Sequence, residues 1–179
     1  MQFIQEYPNS LPLELIDRMC VRARSAQDRS PAQVSQGRVD HTVKLSWDST
    51  LEGDAVLYRE YREYLNRCYI SYCTTTEFDR YNHPVQMQWP TILQHYPPGG
   101  GYLRWHCERS GKSTAGRALV FMTYLTTHSA GGTEFLWPSK TIAAERGKTV
   151  IWPADWQYTH RSEACDQEKI IATGWFEYC

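Results

Sequence analysis

Neither sign of charge dominates this chain: 19 Lys and Arg stand against 20 Asp and Glu over 179 residues, for a formal net charge of −1. A surface so balanced sets up no general field toward nucleic acid or an anionic membrane, so no membrane partner is expected and there is no clear nucleic-acid signal, with a local basic patch left open. Long apolar runs are missing as well, and none approaches the roughly 18 residues of a membrane span. The six cysteines (Cys20, Cys68, Cys73, Cys107, Cys165 and Cys179) show no paired-ligand spacing such as C-x-x-C. The opening residues carry no basic-then-apolar signal region. A cytoplasmic, intracellular location is therefore expected, with reduced and mostly buried thiols. Internal repeats, low-complexity tracts and linkers are also absent.

What remains is ordinary globular material, 41% hydrophobic and 22% charged, enriched in Trp (7) and Tyr (12). The length suits one domain, residues 1–179. Residues 1–84 read as an N-terminal helical, substrate-side region. Ser10 as cap and Pro12 in the first turn predict a helix near 11–25. Ser25–Arg38 is polar and reads as a loop. Leu51, Ala55, Tyr58, Tyr61, Tyr64, Leu65, Cys68 and Tyr69 recur at near-helical spacing and predict a second helix.

From residue 85 to 179 the pattern turns to short apolar runs divided by Gly and Pro. Val85–Trp89, Thr91–Tyr96, Ala118–Leu125, Thr133–Trp137, Thr149–Trp152 and Ile170–Phe176 read as strands. Ala118–Leu125 is apolar almost throughout, the mark of a strand covered on both faces. The fold class expected is α+β, mainly β: a jelly roll with two N-terminal helices packed against one sheet.

One segment carries chemistry, Tyr96-Pro-Pro-Gly-Gly-Gly-Tyr102-Leu-Arg-Trp-His106-Cys107-Glu108. On a strand, residues two apart share a face, so His106 and Glu108 would project together. An imidazole and a carboxylate on one side, joined by a second imidazole, form the facial triad of non-haem Fe(II) oxygenases, which leaves three adjacent positions on the metal open. His160 supplies that second imidazole. Lys169 follows nine residues later, read as lying on a strand next to His160, where an ammonium could meet the distal carboxylate of a 2-oxoacid.

Taken in order, these pieces resemble the prolyl-hydroxylase branch of the Fe(II)/2-oxoglutarate-dependent dioxygenases. They are Tyr96-Pro-Pro-Gly with Gly101-Tyr102, His106-Cys-Glu108, Arg117–Leu125, Gly131–Phe135, Arg146-Gly147-Lys148 before Trp152-Pro153, His160-Arg161, and Lys169 before Ala172–Phe176. The resemblance implies a double-stranded β-helix over 85–179. His106, Glu108 and His160 would hold iron, Tyr96 and Tyr124 would bond the cosubstrate, and Lys169 would pair with its distal carboxylate. Tyr102, Arg117, Trp152, Arg161 and Trp175 are expected around the pocket. It also implies Fe(II), 2-oxoglutarate and O₂, and leaves ascorbate open as an accessory reductant. Two departures stand out: Glu108 occupies a position where the family usually has Asp, and Tyr102 lies one residue further than usual from the first ligand.

The first expectation for the reaction is hydroxylation of a prolyl residue in a peptide or protein. The same chemistry on another side chain, a free amino acid, another small molecule or a nucleotide is the alternative. A jelly-roll binding domain without turnover is a third reading. Oligomeric state is left open.

Overall fold

The computed structural model describes residues 2–34 and 37–179. Among the described residues there are three α-helices: α1 (Leu13–Ser25), α2 (Ala55–Thr76) and the single turn α3 (Phe78–Tyr81). Helix α1 buries Leu15, Ile16, Met19, Cys20 and Ala23, one face of a 3.6-residue period. Pro12, not Ser10, stands at its N-cap, and no side chain caps it. The Ser10 hydroxyl instead donates to the Gly147 carbonyl at 3.0 Å and shares a 2.7 Å hydrogen bond with Thr149 Oγ1. Helix α2 starts where Asp54 Oδ1 accepts the N–H groups of Val56 and Leu57, at 3.1 and 3.0 Å. It runs a full two turns beyond the apolar pattern read from the sequence.

The strands are β1 (Gln5–Tyr7), β2 (Ser30–Pro31), β3 (Gln33–Val34), β4 (Arg38–Val39), β5 (Trp47–Thr50), β6 (Val85–Met87), β7 (Ile92–Tyr96), β8 (Arg117–Tyr124), β9 (Thr133–Phe135), β10 (Lys140–Ile142), β11 (Thr149–Pro153), β12 (His160–Ser162) and β13 (Lys169–Tyr178). The large antiparallel sheet has the order β1-β11-β8-β13-β7-β5-β2, with β6 beside the far end of β13. A small sheet, β10-β9-β12, lies opposite, and β3-β4 form a separate hairpin. Ser25–Arg38, read as a loop, thus contains β2 and β3 and the start of β4; its residues 35 and 36 lie outside the described residues. Three strands of the first 84 residues, β1, β2 and β5, join the same sheet as the C-terminal ones.

Period-two alternation sorts the large sheet into two faces. Leu119 and Phe121 of β8, with Ile170, Ala172 and Phe176 of β13, pack under α1 and α2. Val120, Met122 and Tyr124, with Ile171 and Trp175, turn the other way, toward Phe135 and Ile142 of the small sheet. Burying each such large apolar side chain contributes about 1.5–3 kcal/mol, and both faces of β8 are occupied as its unbroken apolar run requires. Two sheets closing face to face in this way make the jelly roll, or double-stranded β-helix.

Register between β8 and β13 pairs Val120 with Trp175 and Leu119 with Phe176, then skips Ala118 and pairs Arg117 with Glu177. The extra residue is a β-bulge, and it moves Arg117 from the helix side to the inner face. Strands β12 and β13 are not neighbours as the sequence suggested. His160 belongs to the small sheet and Lys169 to the large one, paired with Tyr96.

Candidate active site

After β7 the chain crosses Pro97–Gly101 and threads between two others. Leu45 donates its N–H to Gly101, Leu103 to Val43, and Ser162 to Tyr102, at 2.9–3.0 Å. A Cβ on Gly100 would sit 2.7 Å from the Leu45 carbonyl oxygen, so that glycine is required by the close approach. His106 does not lie in a regular strand, as the His-x-Glu reading supposed. It forms a single antiparallel bridge with His160, through backbone hydrogen bonds of 3.0 and 2.8 Å. This bridge carries one histidine from the threaded segment to the other on the small sheet.

Three donor atoms converge there, all within 4.8 Å of one another. Glu108 Oε1 lies 3.5 Å from His106 Nε2 and 3.7 Å from His160 Nε2. Each imidazole uses Nδ1 elsewhere: His106 bonds the Arg104 carbonyl and His160 the Tyr158 carbonyl, both at 2.9 Å. A carbonyl only accepts, so both rings carry their proton on Nδ1 and point a bare Nε2 lone pair inward. Neighbouring ligands on a metal with bonds of about 2.0–2.2 Å lie about 3 Å apart, so this set fits one ion after small shifts.

The charges agree with that use. Burial would raise the Glu108 carboxyl, but hydrogen bonding to His106 and the charges of His106, His160 and Arg117 outweigh it and hold it at about 2. Burial lowers His160 to about 4, reinforced by His106 and only partly offset by Glu108. At neutral pH the group is a carboxylate with a neutral His160, the forms a divalent cation takes. Tyr102 stacks on the His106 ring at 3.8 Å, and Lys44 Nζ lies 5.6 Å from the centroid of the Tyr102 ring. Trp152 meets His160 edge-on at 5.2 Å.

These groups open onto a cavity of ≈ 940 Å³. Its wall includes Tyr96, Tyr102, Arg117, Trp152 and Trp175, all expected from the sequence, and also Gln94, Thr133, Ser162 and Thr173, which were not. Gln94, Ser162 and Thr173 sit two residues from Tyr96, His160 and Trp175, so strand parity could have found them. Tyr124 and Lys169 lie one layer behind the wall. Tyr124 OH is 2.6 Å from Thr133 Oγ1, and Tyr96 OH donates to Gln94 Oε1 at 2.7 Å. Arg161 does not reach the cavity: one residue out of phase with His160, it pairs with Glu134 at 2.8 Å and covers Trp105.

Lys169 is 1% exposed. Its ammonium donates to the Gly131 carbonyl at 3.1 Å and to Ser162 Oγ, and lies 4.5 Å from the centre of the Tyr96 ring. No carboxylate bonds it among the described residues. Burial depresses it from the usual 10.5 to about 8, with Cys165 and Glu163 opposing weakly. A buried cation without a partner is costly, and an anionic ligand arriving through Ser162 would relieve it.

A jelly roll that closes on His-x-Glu and a distant histidine has the architecture of a non-haem iron oxygenase. Residues 91–177, a little under half of the chain, match the family described as the 2OG-Fe(II) oxygenase superfamily. Among curated proteins no sequence matches. Solved structures do. A Pseudomonas putida prolyl-4-hydroxylase superposes with a TM-score of 0.78 at 18% identity, over 100% of this chain and 94% of its own. A prolyl hydroxylase from Trichoplax adhaerens, in complex with a hypoxia inducible factor oxygen degradation domain peptide fragment, gives 0.78 at 16%, over 98% and 83%. The viral collagen prolyl hydroxylase of Paramecium Bursaria Chlorella virus-1, as its 2OG complex, gives 0.75 at 15%, over 99% and 97%. At these identities the likeness is one of fold.

Proposed function

We propose that the protein hydroxylates a prolyl residue in a peptide or protein, with Fe(II) held by His106, Glu108 and His160 and 2-oxoglutarate anchored by Lys169. The observation that carries the reading is the convergence of two bare imidazole nitrogens and a carboxylate on one cavity, with an unpaired buried ammonium behind the same wall. When bound, Fe(II) supplies the open face at which 2-oxoglutarate is oxidatively decarboxylated to succinate and CO₂ with O₂.

The chain does the placing. Lys169 holds one end of the cosubstrate by a charge-assisted hydrogen bond, taking up its carboxylate where it now bonds Ser162. Gln94 with Tyr96, and Thr133 with Tyr124, present hydroxyl and amide groups along the cosubstrate's path. Trp152, Met122 and Ile171 keep that inner end dry. The peptide reading draws support from the size of the cavity and from the fold shared with a prolyl hydroxylase bound to a peptide fragment.

The test has two parts. Fe(II), 2-oxoglutarate and ascorbate should give CO₂ with the wild type and none with His106→Ala or His160→Ala, and Mn(II) should bind once per chain and be lost in both variants. Metal occupancy that survives both changes overturns the ligand set. Prolyl peptides should then gain one oxygen by mass spectrometry. Oxygen found only on another side chain, a free amino acid or a nucleotide would move the chemistry to that substrate, and no CO₂ with any of them would leave a binding domain.

A further inference from the structure

The two carboxylate oxygens of Glu108 have different surroundings. Oε1 faces the Nε2 atoms of His106 and His160 at 3.5 and 3.7 Å. Oε2 turns away and accepts hydrogen bonds from Trp175 Nε1 at 3.0 Å and from an Arg117 terminal nitrogen at 3.3 Å. The same Arg117 nitrogen donates to the Glu108 backbone carbonyl at 3.0 Å, so it grips the residue at both ends. Its guanidinium carbon lies over the Trp175 indole, 3.6 Å from the ring centre, which fixes the two donors relative to each other. Glu177, 3.6 Å from Arg117 Nε, holds the far side.

We infer that Trp175 and Arg117 are positioning residues that hold Glu108 Oε2 away from the metal, so that the glutamate binds through Oε1 alone. The inference rests on the ligand set proposed above and extends it to these two residues. Its physical basis is reach. Glutamate's extra methylene lets one carboxylate span from the imidazoles to the indole, whereas aspartate on the same backbone is shorter by about 1.3 Å, estimated from a single C–C bond length near 1.5 Å. Without the two donors, a glutamate arm has enough freedom to turn both oxygens onto a cation and occupy a position that cosubstrate or O₂ needs. Trp175 reaches Glu108 by ordinary alternation on β13. Arg117 reaches it only because the bulge at Ala118 places it on the inner face.

Mn(II) affinity and the visible absorption of the Co(II)-substituted protein test this without substrate or turnover. Trp175→Phe keeps an aromatic ring under Arg117 but removes the N–H, and Arg117→Gln removes the charge independently. Each should weaken Mn(II) binding about tenfold, the low end for residues that orient a metal ligand. Each should also lower the intensity of the Co(II) bands as the second oxygen joins the ion and the coordination number rises. Glu108→Asp should weaken Mn(II) binding as well, and adding Trp175→Phe to it should cost little more, because the shorter arm no longer meets the indole. Circular dichroism checks folding, and the two single variants fail or survive separately. Unchanged affinity and spectra in both, or fully additive losses with Glu108→Asp, would overturn the inference. Wild-type protein that binds no Mn(II), or binds it equally after His106→Ala, would instead defeat the ligand set beneath it.

Discussion

Lys169 shows how much one side chain can report. Its folded value of about 8 lies below the ordinary lysine value of 10.5. The folded state therefore binds fewer protons than the unfolded one between those limits, and stability of the cosubstrate-free protein should rise as pH climbs from about 8 to 10.5. Below that window the ammonium is charged in both states and the folded protein bears the full penalty, on the order of 3 kcal/mol at about 1.4 kcal/mol per unit. A bound carboxylate reverses this, so 2-oxoglutarate affinity should hold steady below pH 8 and fall above it as the free amine loses its proton. Titration calorimetry with Mn(II) present would check both limbs; in Lys169→Ala, affinity should be weaker by about tenfold or more and flat across the window. A wild-type affinity that does not change between pH 7 and 10 would move the anchor to another residue. Lysine itself was legible in the sequence through its place before Ile170-Ile171-Ala172. Its isolation was not, because the absence of a partner is a property of the whole neighbourhood.

Elements joined across long sequence distances are where the sequence was least informative. The inner row Lys169, Ile171, Thr173, Trp175 and the outer row Ile170, Ala172, Phe176 follow from period two alone. Helix α2 follows from the recurrence of Tyr58, Tyr61, Leu65 and Cys68, although Leu57 and not Tyr58 is the fully buried residue of its first turn. By contrast, β2 and β5 are short and mostly polar, and β5 pairs with β7 more than forty residues along the chain, so no local pattern marks them. Ser10 is the clearest case. Ser-x-Pro satisfies every local rule for a helix start, yet the hydroxyl is taken by a buried relay from Tyr61 OH to Thr123 Oγ1 (2.9 Å), to Thr149 Oγ1 (2.7 Å) and on to Ser10. The relay ties α2, β8, β11 and the approach to α1 together. Thr149→Val removes one of its two middle members at nearly constant shape and deletes two hydrogen bonds, leaving Thr123 with Tyr61 and Ser10 with the Gly147 carbonyl. A loss of about 1–3 kcal/mol in urea unfolding is expected, with metal binding unchanged; a loss well under 1 kcal/mol would mean the hydroxyls find other partners.

At the scale of the molecule, the helices back one face of the large sheet and the candidate site residues all lie on the side away from them. The iron-binding candidates sit on the small sheet and a threaded segment, while Tyr96, Lys169, Trp175 and Arg117 come from the large one. The site exists only when the two sheets face each other, which is why a motif scan could name its members but not say which of them touch. The bulge at Ala118 adds a consequence of its own. Strand β8 carries two reading frames: residues 119–124 are spelled in one, and Arg117 in the other, with Ala118 as the single letter that shifts the phase. Deleting Ala118 removes no atom from the site and should still silence Arg117, by transposing it to the face under the helices. Such a deletion should bind Mn(II) as weakly as Arg117→Gln while unfolding at lower temperature, because a guanidinium now faces an apolar layer. If it bound Mn(II) like the wild type, the phase would be set by the turn before β8 and not by the bulge. A one-residue length change thus acts on this protein as a substitution does, at a position it never touches.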